Sequence, residues 1–257
     1  MVLFNKENIV GGTFPNGEKY YKPINLTNLR TYNYFTLIFE SVEDLFDLLL
    51  YKKYYDDKFL FDYGKTELIA LFMPFGQADR SFPDKIFSFK YIAQLINDAH
   101  FAKVKILDPH SRVMEAALDR CKVYNANPSH FSILDYDYYC YPDDGAMKKY
   151  SELIEHKYIY GMKKRDLVSG KIIDYKLNVS TEEIKGKHIL IVDDICMNGG
   201  SFKACAKLLN KAGAETVDLY ITHLMPQAEE FYKNYKDFGI THFYSENTLN
   251  MPWYNNI

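Results

Sequence analysis

At 257 residues with a net charge of −3, the chain is long enough for two modest domains or one large one, and its charge gives no case for nucleic acid or an anionic membrane. Hydrophobic residues make up 47% and charged residues 25%, the composition of an ordinary globular protein, and the 23 tyrosines are scattered rather than gathered into a stacking platform for bases. Cys121, Cys140, Cys196 and Cys205 form no CxxC pair and no zinc-type cluster, so reduced thiols in a cytoplasmic setting are expected.

No N-terminal stretch has a signal-peptide layout, and the longest apolar run, Leu68–Phe75, is broken by Pro74 and too short to span a bilayer. In chain order the pattern predicts a strand at Phe35–Phe39, a helix over Val42–Tyr54 and a strand at Leu68–Met73. A helix around Phe87–His100, a strand at Lys103–Leu107 and a helix near Arg112–Arg120 follow. The second series has a strand at Tyr138–Tyr141, a helix over Ala146–His156 and a strand at Tyr158–Met162. It continues with strand His188–Val192, helix Phe202–Lys211, strand Thr216–Thr222, helix Gln227–Lys236 and a last strand near His242–Tyr244.

Such alternation predicts an α/β protein of two domains, each a parallel sheet flanked by helices. The divide is expected within Tyr124–Asp135, where Asn127–Pro128–Ser129 supplies turn chemistry, giving domains of about 1–128 and 129–257.

Ile189–Phe202 reads ILIVDDICMNGGSF and carries most of the chemistry. Four apolar residues make a buried strand, Asp193 and Asp194 follow at its C-terminal end, and Gly199–Gly200–Ser201 opens a helix. Ligands of open parallel sheets bind beyond the C-terminal strand ends, and a glycine-rich turn lets backbone amides close on an anion. Carboxylates beside a phosphate cradle suit a sugar phosphate. A receiver domain would place its acidic pair near the start of its fold, and a P-loop hydrolase would need GxxxxGK(S/T) upstream, which is absent. The bland alternative is a solvated strand end with Ser201 as a helix N-cap.

Other strand ends repeat the theme. His110 lies in Asp108–Pro109–His110–Ser111 after a β-like segment, and Pro142–Asp143–Asp144–Gly145–Ala146 runs from strand to acid to glycine to helix. Asp143 suits an N-cap; if His110 and Asp143 converge, they also suit a sparing grip on magnesium, the rest of whose shell comes from substrate oxygens. Lys163–Lys164–Arg165–Asp166 reads as a charged turn after a strand, and cations on a mobile loop near a phosphate would stabilise a transferring phosphoryl group. Thr13–Glu18 and Met73–Arg80 are Pro/Gly turns of no distinction by themselves.

Together and in this order, TFPNGE, MPFGQADR, DPHS, PDDGA, KKR and VDDICMNGGS resemble ribose-phosphate diphosphokinases, the phosphoribosyl pyrophosphate synthetases, over nearly the whole chain. Ser245–Leu249 sits where members carry a similar Asn-Thr. The resemblance implies a type I phosphoribosyltransferase-like fold and Mg2+-dependent transfer of the β,γ-diphosphate of ATP to the anomeric hydroxyl of a ribose 5-phosphate unit, with AMP leaving. By it, Lys163 and Arg165 would stabilise the transferring group, and His110 and Asp143 would help hold magnesium. Asp193 and Asp194 would bind ribose hydroxyls, directly or through a cation, and Asn198, Gly199, Gly200 and Ser201, with Met197 alongside, would form the 5-phosphate loop. Phe14 would lie against adenine with Asn16 and Glu18 nearby, on a loop reaching in from a neighbouring subunit. That implies a homo-oligomer with its site at a subunit interface, acting on small molecules and on neither nucleic acid nor membrane. Gln77–Ala78 and Asp79 would face the nucleotide from the other side.

Three departures stand out. Gln77–Ala78 replaces the usual Arg-Gln, removing a cationic contact to ATP. The His110–Asp143 span is shorter than in common members, which puts their allosteric phosphate site in doubt. Met197–Asn198 replaces the Asp-Thr of the phosphate loop, which removes a carboxylate beside the ribose and changes the phosphate grip. An acceptor whose 5-phosphate is already esterified needs fewer donors and more room. Short, phage-type proteins similar to this family are associated with NAD salvage, and this chain resembles them, so ADP-ribose is the alternative acceptor. A phosphoribosyltransferase would not need TFPNGE, DPHS and KKR together, and a non-catalytic regulator tends to lose residues such as Lys163, Arg165, His110 and Asp143.

Overall fold

Every second residue of the first strands is apolar and buried, which is what a half-covered sheet requires. The structure is a computed structural model describing residues 1–62, 64–126, 135–165 and 172–246, without the side chains of residues 164, 165, 172 and 173. The chain divides into two compact units, the second beginning at Ala126.

The first unit holds β1 (Val2–Phe4), β2 (Glu7–Asn8), a separate hairpin of β3 (Val10–Thr13) and β4 (Lys19–Tyr21), β5 (Tyr34–Leu37), α1 (Glu43–Lys58) and β6 (Glu67–Ala70). It ends with α2 (Ser88–Asp98), β7 (Lys103–Leu107), α3 (Arg112–Ala117) and β8 (Cys121–Tyr124). The sheet order is β2-β1-β5-β6-β7-β8, parallel from β5 to β8 and antiparallel where β1 meets β2 and β5. Phe35, Leu68 and Ile106 pack with Leu48 and Tyr55 of α1 and Phe89 and Ile96 of α2. Each such side chain removed from water stabilises the fold by about 1.5–3 kcal/mol.

The second unit comprises β9 (Tyr138–Tyr141), α4 (Asp144–Tyr150), β10 (Tyr158–Arg165), β11 (Ile172–Leu177), α5 (Thr181–Ile184), β12 (His188–Cys196), α6 (Gly200–Lys211), β13 (Thr216–Leu224), α7 (Glu229–Lys233) and β14 (Phe243–Ser245). Its sheet runs β11-β10-β9-β12-β13-β14, with only β11 antiparallel to its neighbour. The unbroken apolar run of β12 fits a central strand covered on both faces. Ile189 and Ile191 enter one cluster with Phe202, Cys205 and Leu209 of α6. Leu190 and Val192 enter another with Tyr141, Ala146 and Tyr150, around α4.

The α/β architecture of two sheet units matches the sequence pattern, with physical corrections. β12 continues to Cys196 because β13 stays beside it as far as Leu224, so Asp193 and Asp194 lie within the strand instead of after it. β10 continues to Arg165 because Tyr175 and Asp174 of β11 pair with Lys163 and Lys164, so these cations sit on a ladder and not in a mobile loop. Asp166 lies outside the described residues, as do residues 127–134 and 247–249 of the expected boundary and C-terminal motif.

The fourth helix stops at Tyr150, six residues short of His156, where Leu153 and Ile154 amides turn back to the Tyr150 carbonyl. His156 instead stacks on Tyr139 with ring centroids 4.3 Å apart. The expected helix over Gln227–Lys236 is α7 flanked by 3-10 turns at Pro226–Ala228 and Tyr235–Phe238, because Asn234 leaves helical geometry at φ −120°. The N-cap of α6 is Gly199, not Ser201. Strands β1–β4, β8 and β11 have no counterpart in the predicted elements; they are short or lie at sheet edges, where apolar periodicity is weakest.

Candidate functional site

In the first unit the turns after β6 and β7 come together. Pro74–Phe75–Gly76 bends with Phe75 at φ +63°, and the Ala78 amide closes on the Phe75 carbonyl at 2.9 Å. A Cβ on Gly76 would lie 2.9 Å from Met114 Sδ and 3.4 Å from His110 Cβ, so this turn lies close against the His110 loop and a larger residue would have to displace the end of the Met114 side chain.

Asp79 is buried and takes a forked bond from its own neighbour, Arg80 Nε at 2.8 Å and Nη2 at 3.1 Å. The Arg80 guanidinium holds the Asp79 carboxyl below the usual carboxylate range against the opposing effect of burial, helped by Ser111 and His110 beside it. Gln77 and His110 are exposed. Thus the Met73–Arg80 and Asp108–Ser111 motifs form one polar surface in which Asp79 is the fixed point.

Phe14, Asn16 and Glu18 occupy the tip of the β3–β4 hairpin, which is anchored against α1 by Lys19 and Tyr21, each 2.8 Å from an Asp47 oxygen. Asn16 Oδ1 accepts the Glu18 amide at 3.1 Å, so it shapes the turn, while Phe14 packs on Tyr20 at 5.3 Å and stays half exposed. His110 belongs to the first unit and Asp143 to the second.

In the second unit, three carboxylates and two lysines gather at the ends of β9, β10 and β12. Asp143 caps α4 by accepting the Ala146 amide at 2.9 Å on Oδ1, while its Oδ2 is paired with Lys163 Nζ from β10. Burial works against the Asp143 charge, but the Lys163 ion pair and the Ala146 and Gly145 amides outweigh it and hold the carboxyl below its ordinary range. The N-cap reading therefore holds for this residue, which keeps its second oxygen for Lys163.

Asp193 behaves in the opposite sense. Burial, then the adjacent charges of Asp194 and Asp143, push its carboxyl well above the usual range, although the Asp194 amide donates to its Oδ1 at 2.9 Å. Lys149 Nζ stands 3.8 Å from Asp194 Oδ2. Lys149 went unnoticed in the sequence; its signal was its place on the helix opened by the Asp143 cap. Tyr175 also escaped notice: it donates to the Pro142 carbonyl at 2.9 Å, and its hydroxyl fills the space a Cβ on Gly161 would need.

Beyond β12, Met197 is half-buried and Asn198 and Gly200 are exposed. Gly199 is buried at φ +71°, and a Cβ there would run into the Phe231 ring, so the turn demands glycine twice over. Gly199 caps α6, and the first amides of that helix, including that of Ser201, have no carbonyl partner within the helix. The backbone of Arg165 ends β10 opposite Ile172; its side chain is outside the described residues.

No group of three or more His, Cys, Asp or Glu side chains among the described residues converges on a metal position. A divalent cation here would therefore take one or two hard protein donors, such as the Asp143 oxygen now facing Lys163, and complete its shell from substrate. That is an arrangement magnesium tolerates. No helix among the described residues is long and apolar enough to cross a membrane.

The phosphoribosyl transferase domain family matches residues 154–249. The chain is 25% identical over 254 residues to a ribose-phosphate pyrophosphokinase of Saccharolobus solfataricus, covering 93% of this chain and 83% of that protein. A ribose-phosphate pyrophosphokinase of Sulfolobus acidocaldarius is 23% identical over 72% of this chain and 66% of its own length. A mitochondrial ribose-phosphate pyrophosphokinase 3 of Spinacia oleracea is 34% identical over 83 residues, 32% of this chain and 20% of that one. The fold is similar to the crystal structure of phosphoribosylpyrophosphate synthetase from Mycobacterium smegmatis, with a TM-score of 0.72 and 19% identity over 93% of this chain and 80% of that one. The two sheets are of the type I phosphoribosyltransferase-like kind.

Proposed function

Because the chain belongs to the ribose-phosphate pyrophosphokinase family and is a diphosphokinase-type transferase, we propose that it moves the β,γ-diphosphate of ATP to the anomeric hydroxyl of ribose 5-phosphate. The observation that carries this reading is the second unit's grouping of Asp193–Asp194, the Gly199–Ser201 turn and the Lys163–Asp143 pair around adjoining strand ends. Sugar hydroxyls, a phosphate and a transferring diphosphate would each find complementary chemistry there.

In this mechanism the amides of Gly200 and Ser201 and the Asn198 side chain grip the 5-phosphate, and the Asp193–Asp194 carboxyls orient the ribose hydroxyls. Desolvated Asp193 gains most from a hydrogen-bond donor, since a hydroxyl relieves the cost of its buried charge. The C1 oxygen attacks the β-phosphorus in line, and the bond to the bridging α–β oxygen breaks, so AMP departs with the electron pair. Lys163 leaves Asp143 for the transferring oxygens, where, together with Arg165, it stabilises charge that builds in the transition state. Asp143 would hold magnesium, which would supply Lewis-acid charge to the diphosphate, and His110 is the candidate metal donor of the first unit. On the nucleotide side Asp79 fixes the Gln77 turn, and Phe14 offers an aromatic face to a base. Placing Phe14 in a neighbouring subunit's site makes the working enzyme a homo-oligomer.

A second acceptor, ADP-ribose, is favoured by one feature: Asn198 is exposed at the rim of the phosphate loop, where the family has Thr, and Met197 adds no charge beside it. A 5-phosphate bonded onward to a second phosphate has room to leave by that rim. Mass analysis of products from magnesium, ATP and each acceptor decides the matter. Phosphoribosyl pyrophosphate and AMP are expected from ribose 5-phosphate; AMP formed faster with ADP-ribose moves the assignment to ADP-ribose pyrophosphate, and no AMP with either defeats the reading.

A further inference from the structure

The outer face of α1 has no role in the proposed reaction, and its composition is unusual for a solvent face. Its buried side carries Leu45, Leu48, Tyr51 and Tyr55, as an amphipathic helix should. Its opposite side carries Val42 at the N-cap, Phe46, Leu50 and Tyr54 at successive four-residue steps, exposed by 60%, 64%, 37% and 36%. Four-residue steps form a continuous ridge along a helix. A run of this kind is larger than the scattered single apolar residues that protein surfaces normally show.

We propose that this ridge is a contact between two copies of the chain, packed with their α1 helices antiparallel about a twofold axis at Leu48. The argument is the register. A twofold axis makes a patch face itself, so position i of one helix meets position 96 − i of the other when the axis passes residue 48. In that register Phe46 faces Leu50 of the second copy and Val42 faces Tyr54, so all four ridge residues meet apolar partners. The same register sets Glu43 opposite Lys53, both exposed and both on this face. Shifting the axis by one helical step, to residue 50, sets Glu43 against Asp57 and Val42 against Lys58, which repels at one position and strands an apolar residue at the other.

Glu43, itself exposed, now lies 3.1 Å from the half-buried Lys19, which Asp47 also holds, and Lys53 lies 3.0 Å from Asp57 in an exposed pair, so the Glu43 and Lys53 charges can each be joined by a further partner at little cost. A single helical ridge covers less than the roughly 800 Å² per partner of a standard interface, so the dimer is weak and concentration-dependent. The surface does not depend on the catalytic reading, and its tests do not use activity.

Sedimentation of the full chain over a concentration series should show concentration-dependent association, with the dissociation constant of its weakest step raised at least tenfold by Phe46→Glu. Glu43→Lys and Lys53→Glu should each weaken the dimer, and the two together should restore it. Chains carrying Phe46→Cys mixed with chains carrying Leu50→Cys should form an intermolecular disulfide under mild oxidation several-fold faster than either chain alone, which separates this contact from any other interface the oligomer contains. A chain that stays monomeric, a dimer indifferent to Phe46→Glu, or cross-linking no faster in the mixture overturns the proposal.

Discussion

The two units handle negative charge differently. In the first, Asp79 is neutralised by the next residue, Arg80, and the acid is settled before any ligand arrives. In the second, Asp143 borrows Lys163 from another strand, Asp194 has Lys149 of α4 at 3.8 Å, and Asp193 carries the burial cost of its charge with two acids beside it. One side is a preformed platform. The other is a charge arrangement that a sugar, a diphosphate and a cation would improve, as a transfer centre requires, because groups already satisfied have little left to give a transition state.

The largest test of that contrast is Lys163→Ala. If Lys163 serves the transferring oxygens, AMP production should fall by about a thousandfold or more, the scale on which a positioned cation acts in phosphoryl transfer. If it served only to neutralise Asp143, raised magnesium, supplying the missing positive charge at that carboxylate, would bring activity back. Lys163→Ala is expected to stay inactive across a magnesium series, measured as AMP formed per site. Recovery at high magnesium would reduce Lys163 to a structural counter-ion.

Next in size is Gly199→Ala. The substitution meets both a left-handed backbone at φ +71° and the Phe231 ring. It should cost about 1–3 kcal/mol of stability, read from urea unfolding of the second unit. Adding Phe231→Leu opens the space but leaves the backbone strain, so a part of the loss should return and a part should persist. Gly200, with open space around it, is the control: Gly200→Ala should be nearly silent in stability.

These positions also mark what could be read from the chain. The Gly199–Ser201 turn, the acid pair and the alternation of strands and helices were legible because each rests on local chemistry: an apolar run, a glycine, a carboxylate at a strand end. What escaped depended on partners distant in sequence. β12 continues past Val192 only because β13 runs beside it, and Lys163 stands on a ladder only because β11 folds back against β10. The Lys163–Asp143 pair spans twenty residues, and neither residue signals the other. Asp79 shows the converse case, since its partner Arg80 is the next residue in the chain.

The smallest effect carries the sharpest sign. Asp143 has a folded-state carboxyl below its unfolded value, so the fold binds fewer protons there than the unfolded chain does. Its stabilisation is present above an unfolded pKa of about 3.9 and is lost as pH falls through the lower folded value. Asp193 has a raised folded value, so the fold gains protons relative to the unfolded chain. Its contribution is favourable at low pH and is lost as pH climbs from about 3.9 through the folded pKa. At neutral pH without ligands, Asp143→Asn should therefore destabilise the second unit and Asp193→Asn should stabilise it. The Asp193 difference should shrink towards zero as pH falls to about 4, where its carboxyl takes up a proton in the fold, whereas the Asp143 difference should persist at pH 4 and fade only further down, through its lower folded value. Chemical unfolding at pH 7 and at pH 4 measures both. Two changes of the same sign at pH 7 would mean that the acids share one environment, and the contrast between a paired carboxylate and a strained one would be lost.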